Sequence, residues 1–265
     1  MAVTGAGDGG PGVRVERHGR VGLVAIEREQ ARNAIDSATL DALEAAFAAL
    51  EADEDIWAVV VTGRGDRAFS AGMDLKAFAA EAAAGRSELP ERLGRFFRRP
   101  FTKPLVAAVN GAALAAGLEL VLACDLVVAA EGAVFGIPEV RRGLVAGAGG
   151  LVRLPRRVPY SVALELAFTG TPVDARRAYE LGLVNRVVPA GGAVEAALAL
   201  AGEICANAPL AVRASKQIVR STLPLDEGAA FALNDELMAP VFASDDALEG
   251  ARAFADKREP RWTAS

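Results

Sequence analysis

Apolar and polar positions change their period along this chain, and the changes mark its elements. Residues 13–15 and Val21–Ile26 alternate around Gly19, as two paired strands would. Behind Ser37, a candidate N-cap, Leu40, Leu43, Phe47 and Leu50 recur at helical spacing. Ala58–Gly63 is a short β-branched run closed by glycine, the pattern of a strand buried on both faces. Leu105–Val109, starting after Pro104, and residues 126–129 read the same way. Segments predicted as helix or long loop separate these runs, and strands alternating with helices predict α/β layering. After Ser161 the pattern turns helical over residues 173–181, 193–207, 211–221, 226–238 and 247–257, with one strand-like piece at 184–188. Ser244-Asp245-Asp246 caps the last helix with negative charge at its N-terminus. The expected organisation is a disordered, Gly-rich lead-in over residues 1–11, an α/β core over 12–200 and a helical region over 201–265.

Composition narrows the function. With 265 residues, 52% hydrophobic and 24% charged, the chain can build a sizeable core. A net charge of −5 disfavours nucleic acid as a partner, since phosphate binding needs a clustered basic surface. Cys124 and Cys205 lie far apart in apolar surroundings and suggest no disulfide framework, which suits a reducing compartment. The N-terminus lacks the basic-then-apolar pattern of a signal peptide. The longest apolar stretch, residues 112–123, is interrupted by Gly117 and Glu119 and is too short to span a bilayer. A soluble, cytoplasmic protein with no membrane partner is expected.

The chain has one histidine, His18, read as an exposed hairpin residue. A Ser-His-Asp or Cys-His triad would have to recruit it, and a His-rich zinc site cannot form, so no metal is expected. Acid–base chemistry then falls to carboxylates, lysine, tyrosine or water.

Four segments could carry such chemistry. In residues 68–76 (Ala-Phe-Ser-Ala-Gly-Met-Asp-Leu-Lys) a strand gives way through small residues to a helix, a junction that exposes unpaired backbone N–H groups. Residues 110–119 (Asn-Gly-Ala-Ala-Leu-Ala-Ala-Gly-Leu-Glu) repeat the device and add a carboxylate. Small residues there equally serve helix-on-sheet packing. Two N–H groups converging on one carbonyl would form an oxyanion hole. Glu119 lies among Leu118, Leu120, Val121 and Leu122, where a carboxyl should have a raised pKa. In the third segment Pro138 fixes the backbone leading to Glu139. The fourth, Gly147-Ala148-Gly149-Gly150, invites a nucleotide-loop reading, but it does not complete G-x-G-x-x-G and lacks a Walker lysine, so a tight helix-start turn is favoured.

Taken together, these segments resemble the enoyl-CoA hydratase/isomerase (crotonase) superfamily from about Val13 to Trp262. The likeness is carried in family order by Arg32-Asn33-Ala34, Ala71-Gly72-x-Asp74, Asn110-Gly111 leading to Gly117-x-Glu119-Leu120, Cys124-Asp125, Phe135-Gly136-x-Pro138-Glu139 and Gly147-x-Gly149-Gly150. Ala208-Pro209-Leu210-Ala211 and Phe254-x-x-Lys257-Arg258 complete it. The resemblance implies a spiral core of ββα units with C-terminal helices that build trimers, often paired into hexamers. It implies an acyl-CoA substrate, with coenzyme A part of that substrate and no separate cofactor, and a place in fatty-acid metabolism such as β-oxidation. Its oxyanion donors are the N–H groups of Met73 and Ala116, and its catalytic carboxyls are Glu119 and Glu139. Around the thioester and CoA it places Arg32, Ala34, Ala71, Gly72, Asp74, Leu75, Lys76, Gly117, Pro138 and Lys257, the last often serving a neighbouring subunit. Solvated surface charge is the other reading of Arg32, Lys76 and Lys257. Two positions depart from the family habit: Ala116 stands where glycine is common, and Met73 where alanine is.

The implied reaction is hydration of a trans-2-enoyl-CoA, or the reverse dehydration of a 3-hydroxyacyl-CoA. A double-bond isomerase, with Glu139 moving the proton alone, is a sibling reading. A non-catalytic acyl-CoA-binding protein and a nucleotide-binding regulator built on residues 147–150 are readings of other classes.

Overall fold

The computed structural model describes residues 6–85 and 88–265. Eleven strands occur among them: β1 (Ala6–Asp8), β2 (Val13–His18), β3 (Val21–Ile26), β4 (Ala58–Gly63), β5 (Ala68–Ser70), β6 (Leu105–Val109), β7 (Ala112–Leu114), β8 (Leu126–Ala130), β9 (Val134–Gly136), β10 (Val173–Asp174) and β11 (Arg186–Val188). The helices are α1 (Ser37–Ala52), α2 (Leu75–Ala83), α3 (Leu89–Arg98), α4 (Ala116–Ala123), the single turn α5 (Gly150–Arg153), α6 (Tyr160–Thr169), α7 (Ala175–Glu180), α8 (Ala193–Cys205), α9 (Pro209–Thr222), α10 (Glu227–Phe242) and α11 (Asp245–Asp256).

Strands segregate into two sheets. The larger has the order β1-β2-β3-β4-β6-β8-β11, antiparallel at the β1–β2–β3 end and parallel onward from β3. The smaller has the order β10-β9-β7-β5. Each of the pairs β4/β5, β6/β7 and β8/β9 sends its first strand to the large sheet and its second to the small one before the chain turns helical. This repetition is the expected spiral of ββα units. Strands β4 and β6 are buried at every position, as their unbroken apolar runs require.

Both faces of the large sheet are covered. One carries the main core, including Ile26, Val61, Phe69, Val109 and Leu118, with Phe47 packed edge-on against Phe96 and Phe101. The other packs Val60, Val106 and Val128 against Ala197, Leu200 and Ala201 of α8. The core therefore runs through α8, beyond the boundary expected at residue 200, and the peripheral helices begin with α9. In α9 only Pro209 is buried, and in α10 no residue is. Lys216 pins α9 to the core: its ammonium lies 2.7 Å from Asp125 and donates to the Lys103 carbonyl, while Asp125 accepts the Leu105 N–H. No single helix among the described residues is long and apolar enough to cross a membrane.

Local details differ from the sequence-based expectations. Of the disordered lead-in, residues 1–5 lie outside the described residues, whereas Ala6–Asp8 pairs with β2. Asp36, not Ser37, caps α1, because its carboxylate accepts the Thr39 N–H at 2.8 Å. His18 is 9% exposed rather than solvated, its ring 3.2 Å from Glu16. The helix expected over 173–181 begins one strand late, since Val173–Asp174 pairs with β9 before α7 starts.

Two side-chain amides, the buried Asn33 and the partly exposed Asn110, lock the strand corners. Asn33, held at φ +55°, donates to the carbonyls of Arg64 and Ala68 at 3.0 and 2.7 Å and accepts the Arg28 N–H. Asn110 reaches the same Ala68 carbonyl and also Gly65, while accepting the Gly63 N–H. Asn33→Ala strands these buried partners and puts an alanine in a left-handed conformation. It is expected to lower stability by about 2–4 kcal/mol, read as a lower denaturation midpoint at unchanged denaturant slope.

Candidate active site

Two chain corners meet where the small sheet hands over to α2 and α4. At the first, Ile35 forms an isolated parallel bridge with Met73: the Ile35 N–H donates to the Gly72 carbonyl at 2.8 Å, and the Asp74 N–H donates to the Ile35 carbonyl at 2.9 Å. Peptide groups of an extended segment alternate in direction. The Gly72 carbonyl and the Met73 N–H belong to one trans peptide and point in opposite directions, so the Met73 N–H points away from Ile35, and Met73 lines a cleft. At the second corner, Ala116 is the first residue of α4, and its N–H is one of the donors a helix start leaves without an intrahelical partner.

The corners touch. A Cβ on Gly72 (φ +95°) would lie 3.0 Å from the Ala116 nitrogen and 2.7 Å from the Ala115 Cβ. A Cβ on Gly117 would fall 2.2 Å from the Ser70 carbonyl oxygen. Only glycine lets these backbones approach so closely. Ala115 itself sits at φ +52°, ψ −127°, a conformation that costs an alanine about 1–3 kcal/mol.

Behind this double corner stand the two carboxyls. Glu119, in the first turn of α4, is 3% exposed, and its Oε1 accepts the Gly150 N–H at 2.8 Å. A Cβ on Gly150 would come within 3.1 Å of that same oxygen. The glycines of residues 147–150 are thus explained: they begin α5, as the turn reading expects, and bring its first N–H groups onto a carboxylate. Glu139 sits in a 3-10 turn, Pro138–Arg142, and its Oε2 is buried without a hydrogen-bond partner. Glu119, Glu139, Met73 and Ala116 all line one cleft of about 580 Å³.

Comparison with known proteins decides the family. The family model for enoyl-CoA hydratase/isomerase matches residues 16–265. The chain belongs to the enoyl-CoA hydratase/isomerase family. It is 41% identical to enoyl-CoA hydratase EchA19 of Mycobacterium tuberculosis, over 96% of this chain and 97% of that protein. It is 39% identical to a carnitinyl-CoA dehydratase of Salmonella typhimurium, over 94% of this chain and 97% of the relative. Its fold superposes on the crystal structure of enoyl-CoA hydratase from Mycobacterium tuberculosis with a TM-score of 0.89 at 48% identity, covering 96% of this chain and all of that one (100%). Enoyl-CoA hydratase EchA1 of Mycobacterium marinum gives 0.90 at 49% identity, covering 96% and 100%.

In this family member the other expected site residues divide. Arg32, Ala71, Leu75 and Pro138 line the cleft with the four central residues. Gly72 and Gly117 lie behind its wall and permit the corner contact. The Asp74 carboxylate caps α2 through the Ala77 and Lys76 N–H groups and pairs with Arg28 at 3.1 Å; against the effect of burial, the Ala77 N–H and Arg28 hold its pKa below the ordinary value. Ala34 is 8% exposed and gives its carbonyl to Arg28. Lys76 is exposed on α2 outside the cleft, and Lys257 follows α11, also outside it.

Several contributors escaped sequence reading. Arg28 joins Asp36 and Asp74 and so braces the segment that aims Met73. Ser70, fully buried, accepts the Gly72 N–H. Glu91, Arg98 and Arg142 add charge to the cleft walls. Chemical type alone does not distinguish these from surface residues; their position requires the fold.

The site's electrostatics follow from burial. Desolvation raises the Glu119 pKa, opposed by the N–H groups of Gly150, Ala148 and Gly149 and by the charge of Arg153. Desolvation also pushes Glu139 up to about 7, helped by the charge of Glu119 and opposed by its own N–H and by Arg142. The groups that favour an anion are thus gathered mainly on Glu119. A carboxyl with a raised folded pKa favours the fold at low pH, and that contribution is lost as pH rises through the folded value. For Glu139 the window runs from the ordinary 4.5 to about 7. Glu139→Gln removes the cost of ionising a buried acid. Its stability relative to the natural chain is expected to climb between about pH 5 and about pH 8, measured as paired denaturation midpoints; a pH-independent difference contradicts the buried-acid assignment.

Proposed function

We propose that this protein hydrates trans-2-enoyl-CoA thioesters, and dehydrates the corresponding 3-hydroxyacyl-CoA in reverse. The observation that supports the reading is that Glu119 and Glu139, both with raised pKa values, line one cleft together with Met73 and Ala116. The thioester oxygen rests on the N–H groups of Met73 and Ala116, which stabilise the enolate charge as it develops. Glu119, steadied as an anion by Gly150, takes a proton from water, and the resulting hydroxide adds to the β-carbon. Glu139, with a pKa near neutrality, holds the same water and delivers a proton to the α-carbon. The dehydratase direction is supported by the relative named carnitinyl-CoA dehydratase.

Isomerisation needs one proton-moving group, and the buried second carboxyl with its dedicated N–H donor favours hydration instead. Arg32 sits where the CoA moiety would enter the cleft, with Lys76 on the neighbouring helix to meet phosphate; Lys257 suits the same task in an adjoining subunit. Coenzyme A enters as part of the substrate, and the chemistry asks for no further cofactor. The two free cysteines suit a reducing compartment and so support a cytoplasmic location. Assembly into trimers, or trimers paired into hexamers, is supported by the apolar side chains that α9–α11 expose: Leu223 is 76%, Phe242 73% and Phe254 88% exposed.

Glu119→Gln and Glu139→Gln are each expected to lower kcat for hydration by roughly a hundred- to ten-thousandfold, with KM changed far less. The assay follows loss of the conjugated-thioester absorbance. Hydration surviving at full rate in either variant sinks the two-carboxyl scheme; a Glu119→Gln enzyme that still shifts double bonds favours the isomerase. Sedimentation velocity is expected to show a trimer or hexamer, and a monomer at micromolar concentration contradicts the assembly proposal.

A further inference from the structure

Two consecutive glycines each pack against a charged side chain. A Cβ on Gly150 would come within 3.1 Å of Glu119 Oε1, and a Cβ on Gly149 within 2.6 Å of Arg153 Nη1. The turn is bare of side chains, so carboxylate and guanidinium both lie directly on its backbone. Gly149 holds φ +121°, a conformation suited to glycine. Arg153 closes α5: its N–H donates to the Gly149 carbonyl at 2.9 Å, and its Nη2 donates to the Phe97 carbonyl of α3 at 2.6 Å. The side chain thereby ties α3 to the turn whose Gly150 N–H holds Glu119.

Arg153 does this from outside the cleft. It borders a separate hollow of about 520 Å³ between α9 and residues 124–126. The position is an expensive one for a cation. Nη1 is buried without a hydrogen-bond partner, and burying an ion is costly unless it is paired. Burial and the charge of Arg220 lower the Arg153 pKa, and Glu119 opposes them; Arg157 adds a further repulsion. Stability alone does not account for an arginine here. The benefit falls on Glu119. Burial raises that carboxyl's pKa, and after the N–H groups of Gly150 and Ala148 the Arg153 charge is the next to oppose the rise. Glu119 is 3% exposed, so little water screens the attraction.

We propose that Arg153 is a positioning residue for the base: it braces the glycine turn that anchors Glu119 and supplies, across that turn, the positive charge that keeps Glu119 ionised. The inference rests on the hydratase reading above. The other charged groups that share the cleft with Glu119 are Glu139 and Arg142 of the 3-10 turn, Glu91 and Arg98 of α3, and Arg32. A change at Arg153 leaves all of them in place.

The test compares Arg153→Gln and Arg153→Lys with the natural chain through two readouts. One is the pH dependence of kcat/KM for a short trans-2-enoyl-CoA. The other is the infrared band of the protonated Glu119 carboxyl, assigned by its loss in Glu119→Gln. Removing a neighbouring positive charge makes a carboxylate harder to form. Arg153→Gln is therefore expected to move the acidic limb of kcat/KM and the Glu119 titration upward by about one pH unit. The loss in kcat/KM is greatest at low pH, up to about tenfold. Arg153→Lys keeps the charge without the guanidinium fork and is expected to show less than about a third of that displacement. If the glutamine variant does not fold, Arg153→Met, which keeps the aliphatic stem, takes its place. An equal loss at every pH with the Glu119 titration unmoved makes Arg153 a structural brace only and overturns the proposal. So does a lysine variant displaced as far as the neutral one. A natural chain that hydrates no enoyl-CoA, while the Glu119 band moves as expected, overturns the hydratase reading and upholds the link between Arg153 and Glu119.

Discussion

The architecture turns on one contact: the backbone of the Gly72 corner pressed against the start of α4. No side chain can intervene, because the space a Cβ would need at Gly72 or Gly117 is already held by neighbouring backbone or by the Ala115 methyl. Everything around this contact maintains it. The Ile35 bridge and the Arg28 ion pairs hold one corner, the β7–β9 pairing and the Ala115 N–H on the Gly136 carbonyl hold the other, and Asn33 and Asn110 tie both to the Ala68 carbonyl. The strained Ala115 is tolerated because these bonds over-determine its position. Two donors from segments more than forty positions apart are thereby held with no flexible side chain involved, the preorganisation that makes backbone N–H groups effective toward developing charge.

Against this rigid donor pair the carboxyls are set in graded environments. Both lose water, which raises both pKa values, yet the α5 N-terminus and Arg153 favour charge on Glu119. Both carboxyls have raised pKa values, Glu139 up to about 7, and in the proposed hydration the anion-favouring groups around Glu119 suit it to act as base and Glu139 as acid. The loop that leads into α5 lines the cleft through Gly147 and Ala148, so the turn that steadies Glu119 also continues the cleft wall.

Much of this was legible in the residues. Apolar β-branched runs marked β3, β4, β6 and β8, and the small-residue corners before α2 and α4 announced exposed N–H groups. The isolation of Glu119 among leucines signalled a buried acid. The smaller sheet was not legible as a sheet. Strands β5, β7 and β9 have three residues each, too few to display alternation, and they read only as junctions. Pairings distant in sequence were equally hidden: nothing in residues 147–150 announces that their amides serve a carboxylate thirty-one positions earlier. Asp36 displaced Ser37 as a cap because both are good caps and only the turn geometry chooses. His18 was misread because its partner, Glu16, shields it from solvent in a way that hairpin position alone does not reveal. For Asp74 the motif alone did not reveal that its carboxylate caps α2 and pairs with Arg28.

The unequal tethering of the two acids bears on how atoms travel during a turnover. Glu119 is anchored through Oε1, so one edge of its carboxyl is fixed and a water bound to it has little freedom of position. Glu139 keeps one buried oxygen, Oε2, without a hydrogen-bond partner. In the proposed hydration, the anchored carboxyl would define where the oxygen nucleophile starts, and the less tethered one would deliver the proton to carbon.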